Sequence, residues 1–206
     1  MKRALSACAS IALLTLGLVA CGSEAGKPGP SASSTTSVSA SASPTPTASA
    51  AYKPATATSK AENVPVPVMP AAAKAKTPEG AKAFVGYWVA MLSYAYETGD
   101  TKTVSAMSAP DCQLCQTMIS AVQEQWHAGG WIEGGKLRTP AGDIKVTPNS
   151  ERVTLIAQVI QEPFAVHDAK NSVTEEQKER ANLALAFVVD RVGDSWKIHD
   201  TKRWVG

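Results

Sequence analysis

From Thr77 onward the apolar positions change their spacing once along the chain, and that change separates a helical part from an extended one. Ala81, Phe84, Val85, Trp88, Leu92 and Ala95 recur every three or four residues, which puts them on one face of a helix. Thr77-Pro78-Glu79 supplies an N-cap, a proline at the first helical position and an acid in the first turn, and Gly99-Asp100 ends the run. Thr101 to Met107 fits a short second helix that stops before Pro110. Asp111 is placed to cap a third, with Leu114, Met118, Val122 and Trp126 as its apolar stripe and Gly129-Gly130 as its terminator.

Beyond Gly129 the period falls to two. Ile144 and Val146, then Val153, Leu155, Ala157 and Val159, then Leu183, Leu185, Phe187 and Val189 alternate with other residues and predict strands. Gly193-Asp194 separates the last run from Trp196-Lys197-Ile198-His199, a hairpin signal. Thr174 to Arg180 is charged and reads as a solvated loop or one helical turn. Helices first and antiparallel strands after them predict an α+β fold, with the helices on one face of the sheet.

Upstream of Thr77 neither period holds. Gly22 to Lys76 is dominated by Ala, Ser, Thr and Pro and contains one aromatic, Tyr52, whereas the other eleven of the twelve aromatics follow residue 77. A segment without large side chains buries too little to offset its conformational entropy, so this one is expected to be a disordered tether. Ahead of it, Met1-Lys2-Arg3, the apolar run Ile11 to Ala20 and then Cys21 have the layout of a secretory signal. Leu18-Val19-Ala20-Cys21 resembles the lipobox of bacterial lipoproteins. That resemblance implies cleavage before Cys21, a diacylglycerol on its thiol and attachment at the extracytoplasmic face of the cell membrane. The expected organisation is a signal peptide over 1–20, the lipidated cysteine and tether over 21–76, and one globular domain over 77–206.

Processing alters the charge balance. The 206-residue chain carries +2, and loss of Lys2 and Arg3 would leave 18 basic and 18 acidic residues. This gives a nucleic-acid partner no compositional support.

Cys112-Gln113-Leu114-Cys115 is the most informative cluster. With Cys8 removed and Cys21 lipidated, these are the two remaining thiols of an exported chain, which favours a disulfide. A Cys-x-x-Cys at a helix start also suits a thiol oxidoreductase, although no strand of a βαβ unit precedes it; zinc would need two more ligands. His127 closes the third helix, where a cation helps the terminus. His167 and His199 each neighbour an aspartate, Asp168 and Asp200, but strand neighbours point to opposite faces, so neither pair reads as a dyad. Gly129-Gly130-Trp131-Ile132-Glu133-Gly134-Gly135 does not precede a helix and reads as turn glycines around packed side chains. Trp131, Trp204 and His127 are the candidate ligand contacts; no catalytic residue, cofactor or metal site is read.

Helix, short helix, helix and then a sheet ending in Val188-Val189-Asp190-Arg191-Val192-Gly193-Asp194-Ser195-Trp196-Lys197-Ile198 resembles the nuclear-transport-factor-two-like (NTF2-like) cone, a cystatin-like α+β fold. Thr77-Pro78-Glu79-Gly80-Ala81, Thr98-Gly99-Asp100, Cys112-x-x-Cys115 and the paired glycines resemble an uncharacterised group of actinobacterial lipoproteins. The superfamily resemblance implies either a hydratase or isomerase using the cone pocket or a protein that only binds or dimerises. None of the catalytic motifs maps onto this chain. The expectation is therefore a non-catalytic binding or interaction module, with a hydratase/isomerase-like enzyme or an oxidoreductase through Cys112 and Cys115 as alternatives. Its expected partners are the membrane through Cys21 and an envelope protein or cell-wall ligand; a homodimer is compatible with the fold.

Overall fold

The computed structural model describes residues 50–140, 145–147 and 152–205. The expected signal peptide, Cys21, the expected tether up to residue 49 and Ile144 lie outside the described residues.

Three helices form as the spacing predicts. In α1 (Pro78–Thr98) the Thr77 hydroxyl accepts a bond from the Gly80 N–H at 3.1 Å. The helix ends at Gly99 in the left-handed region, φ 77°, where a Cβ would stand 2.6 Å from the Trp126 ring. A short α2 (Lys102–Ala106) follows, its Lys102 N–H bonded to the Asp100 carboxylate. The third, α3 (Gln113–His127), has Cys112 as its N-cap with no side-chain bond to the helix start. Asp111 is therefore exposed rather than capping, and the cysteines occupy the cap and third helical positions instead of the first and fourth. The buried stripe moves with them, to Cys115, Ile119 and Val122, and leaves Met118 and Trp126 half-buried.

Eight strands complete the domain: β1 (Trp131–Gly134), β2 (Leu137–Arg138), β3 (Lys145–Thr147), β4 (Arg152–Gln161), β5 (Phe164–His167), β6 (Val173–Gln177), β7 (Ala181–Val192) and β8 (Ser195–Arg203). Among the described residues all strand-to-strand pairings are antiparallel, and a lone parallel bridge joins Ser108 to Ile198. One sheet has the order β1, β5, β6; the other has β2, β4, β7, β8, with β3 on the same edge of β4 as β2. The two are halves of one bent ladder, because Gly135 N–H donates to Pro163 O at 2.9 Å and Glu162 N–H to Lys136 O at 2.9 Å. Gly134 and Gly135 take φ of 71° and 70° at the bend, a conformation that L side chains rarely adopt. The glycines read as turns thus flank a strand, β1. The charged stretch from Thr174 is mostly strand as well: β6 is an edge strand with nearly every side chain in water, so it shows no alternation to read.

α1 lies across the bend, where the buried Ser93 hydroxyl accepts from the Leu137 N–H at 3.0 Å. Trp88 sits at the centre of the core, edge-on to Phe187, with its N–H donated to Ser108 Oγ at 2.8 Å. The β4 alternation is as expected: Val153, Leu155, Ala157 and Val159 are buried. The hairpin turns at Gly193-Asp194 between β7 and β8.

The domain does not begin at Thr77. Residues 50–76, expected to belong to the tether, wrap the domain as a strap. A small hairpin bridges Lys53 to Glu62 and Thr56 to Ser59. Tyr52 donates to the buried Glu97 carboxylate at 2.5 Å, and the Lys136 ammonium lies 4.7 Å from the Tyr52 ring. Thr56 O accepts from the Trp131 indole at 2.9 Å, Lys60 covers the Trp126 ring, and Ala75 O accepts from the Trp196 indole at 3.0 Å. A 3₁₀ turn over Ala71–Lys74 buries Ala73. The strap therefore docks through backbone carbonyls and a few side chains, with Ala73 in the core and Met69 packed against it.

Limited proteolysis is expected to leave a core that begins close to Tyr52, and Tyr52→Phe to lower the unfolding free energy by about 1–2 kcal/mol, because Glu97 loses its shortest partner. Trimming to Thr77 without loss of thermal stability would show the strap to be dispensable.

Candidate functional site

Because α3 packs beside the bent sheet and not deep within it, a cleft runs along one flank of the helix. Its larger lobe, about 950 Å³, lies between the first half of α3 and the β7–β8 hairpin; Leu114, Met118, Leu183, Leu185 and Val188 give it apolar walls. The smaller lobe, about 510 Å³, lies between α3 and the β1, β5, β6 sheet, over Tyr96, Ile132, Phe164 and Val166. Thr117 and Met118 border both lobes. Behind Tyr96 and Met118 is an apolar hollow of about 90 Å³, reaching Trp88 and Leu92. The two larger volumes fall in the range of small-molecule pockets.

His199 borders the larger lobe, and the register explains why. Val188 pairs with Asp200 and Val189 with Ile198, so His199 is the extra residue of a β-bulge. Its Nδ1 lies 3.2 Å from Asp190 Oδ2 across the hairpin. Asp190 also accepts two bonds from Arg152, at 2.7 and 2.8 Å, and this guanidinium holds its carboxyl below the ordinary carboxylate range. The Thr201 hydroxyl, buried beside the same lobe, has no partner among the described residues. In the smaller lobe, burial and then the charge of Glu175 push the Tyr96 phenol up, so it stays protonated and able to donate.

His167 is 2% exposed and pairs through Nε2 with Glu133 at 2.8 Å. The Trp131 ring stacks on it at 4.9 Å. Trp131 is thus committed twice, to His167 and to Thr56 O, and cannot serve as the exposed ligand platform expected of it. Trp204 is 45% exposed at the end of β8, and His127 is exposed at the end of α3; neither borders the cleft. The three candidate contacts are not brought together. As expected, neither histidine pairs with its sequence neighbour; both take cross-strand carboxylates, which the strand register alone could reveal.

Cys112 and Cys115 form a disulfide, both residues fully buried. Among the described residues, no three His, Cys, Asp or Glu side chains converge as metal ligands do, and no helix is long and apolar enough to cross a membrane.

Helices packed against antiparallel sheets, with a cleft along one flank of α3, define an α+β domain. The chain belongs to the DUF6318 family, a family of unknown function, whose model matches residues 50–202. That span starts at the strap and not at α1. No curated protein matches the sequence. Among solved structures, the chain is similar to the intermembrane-space region of the chloroplast protein ARC6 (14% identity, TM-score 0.46, covering 63% of this chain and 98% of that one). It is also similar to a cystatin-like protein of unknown function from Nostoc punctiforme (12%, 0.36, 58% and 86%) and to an NTF2-like protein from Anabaena variabilis (15%, 0.31, 61% and 87%).

Burial of both sulfurs favours a structural bridge, since a redox site exposes one sulfur to attack. Cys112→Ser with Cys115→Ser is expected to lower stability by about 2 kcal/mol, and the native bond to resist aqueous dithiols while the domain stays folded. Rapid reduction of the folded protein would restore the oxidoreductase alternative.

Proposed function

We propose that this chain is a lipid-anchored extracytoplasmic protein whose domain is a non-catalytic module that binds a small amphiphilic molecule of the cell envelope in the cleft along α3. The observation that carries the binding reading is the continuity of the cleft around Met118: two lobes and an apolar hollow all border this one flexible side chain. An apolar hollow of that size stays dry, and apolar ligand atoms gain contacts there that water does not. The anchor rests on the signal layout and the Leu18-Val19-Ala20-Cys21 pattern.

A hydratase or isomerase reading is favoured by one observation, the Asp190–His199 pair at the larger lobe. A carboxylate on Nδ1 would hold the ring with Nε2 free to take a proton. Arg152 already engages both Asp190 oxygens, which makes the pair equally a cross-strand clamp.

Met118→Trp is expected to weaken binding of the neutral dye N-phenyl-1-naphthylamine about tenfold while Met118→Leu leaves it nearly unchanged, read by fluorescence titration. Equal affinity in both variants would place binding elsewhere. His199→Ala should leave dye binding intact; loss of a turnover activity in that variant would favour the enzyme reading. For the anchor, Cys21→Ser should move the protein out of the membrane fraction, and its retention there would overturn the lipid attachment.

A further inference from the structure

The two lobes differ in charge, and the smaller one is one-sided. Its floor is Tyr96, Ile132, Phe164 and Val166, with Glu124 on α3 and Glu175 on β6 at opposite walls. None of the residues that line it is basic, whereas Arg152, Lys202 and Arg203 line the larger lobe. The register puts Glu175 in the smaller lobe by design of the sheet: Ile132 pairs with Val166 and Val166 with Glu175, so the three side chains share one face and the apolar row ends in a carboxylate. Of the amides in the lining, Gln125 is already committed, donating to His167 O at 2.6 Å.

We infer that the smaller lobe takes an organic cation, an ammonium group on an apolar or aromatic body. This deepens the binding reading above and rests on it. An anionic ligand would meet two like charges. A neutral one would cover two carboxylates without pairing them, which is unfavourable once water is displaced. A cation is attracted by both carboxylates at the exposed rim, and the Tyr96 and Phe164 side chains of the floor suit its apolar or aromatic body. The Tyr96 hydroxyl, kept protonated beside Glu175, offers its oxygen as an acceptor to the ammonium. The lobe's volume of about 510 Å³ accommodates a body the size of a phenylalkyl chain.

The test uses three molecules of one shape: phenylbutylamine, phenylbutanol and phenylbutyrate. Each is titrated into the full mature chain with methyl-labelled methionine, so that the Met118 methyl reports occupancy of the cleft. The amine is expected to bind about tenfold more tightly than the alcohol, and the butyrate more weakly than either. In Glu124→Gln with Glu175→Gln, the roughly tenfold preference for the amine over the alcohol should disappear. If the alcohol or the butyrate shifts Met118 as tightly as the amine, or the double variant leaves amine affinity intact, the cation inference is overturned and the cleft-binding reading stands. If none of the three shifts Met118 and the neutral dye also fails to bind, both fall.

Discussion

The rest of the domain depends on one constraint, the bend at Gly134-Gly135 opposite Pro163. Strands β1 and β5 continue into β2 and β4 through two backbone bonds at that point, so a single ladder is folded into two sheets facing different ways. Side chains are nearly excluded there: both glycines have positive φ, and a Cβ on Gly135 would stand 3.1 Å from that of Phe164. Proline at 163 has no N–H to place in the ladder, which suits it to the break. With the sheet bent, α1 can lie across both halves while α3 lies alongside, and the space that α3 does not fill is the cleft. A flat sheet would have closed against the helices and left no lobe on the β1, β5, β6 side.

Bending a sheet exposes what it cannot cover, and the strap answers this. Trp131, Trp126 and Trp196 each present an aromatic edge or face near the outside of the helices and sheets, and residues 50–76 supply a carbonyl, a lysine and a second carbonyl to them. Two part-buried indole N–H groups, of Trp131 and Trp196, find their acceptors in the strap. The family model's start at residue 50 agrees with this extent of the domain.

This also explains what could and could not be read in the amino-acid order. The three helices, the β4 and β7 alternation and the last hairpin were legible because their burial is periodic. The strap was not, since two of its contacts are made by backbone carbonyls and the rest by scattered single side chains without a period. Strand β6 was hidden because an exposed edge has no buried face to mark it. At the third helix a one-residue shift in the cap, from Asp111 to Cys112, exchanged part of the expected stripe for Cys115 and Ile119; the disulfide pulls the helix start inward where an aspartate would have kept it at the surface. Of the site, Met118 was visible as an apolar helix position but not as the wall shared by two lobes. Glu175 at the smaller lobe, and Asp190 against the His199 that borders the larger one, are placed by cross-strand register, which no local pattern encodes.

The disulfide and the cleft are linked by the same geometry. Asp111, Gln113 and Leu114 border the larger lobe, while Cys112 and Cys115 point away from it into the core. A buried bridge across the first turn of α3 holds the end of the helix that carries no side-chain cap, and it does so from the side opposite the ligand space. Without it, the first turn would be free to fray, and fraying would move Leu114 and, one turn on, Met118, the residue on which both lobes converge. The Cys-x-x-Cys spacing thus has a sufficient physical reason in keeping one wall of the cleft in place, and it needs no redox chemistry to account for it.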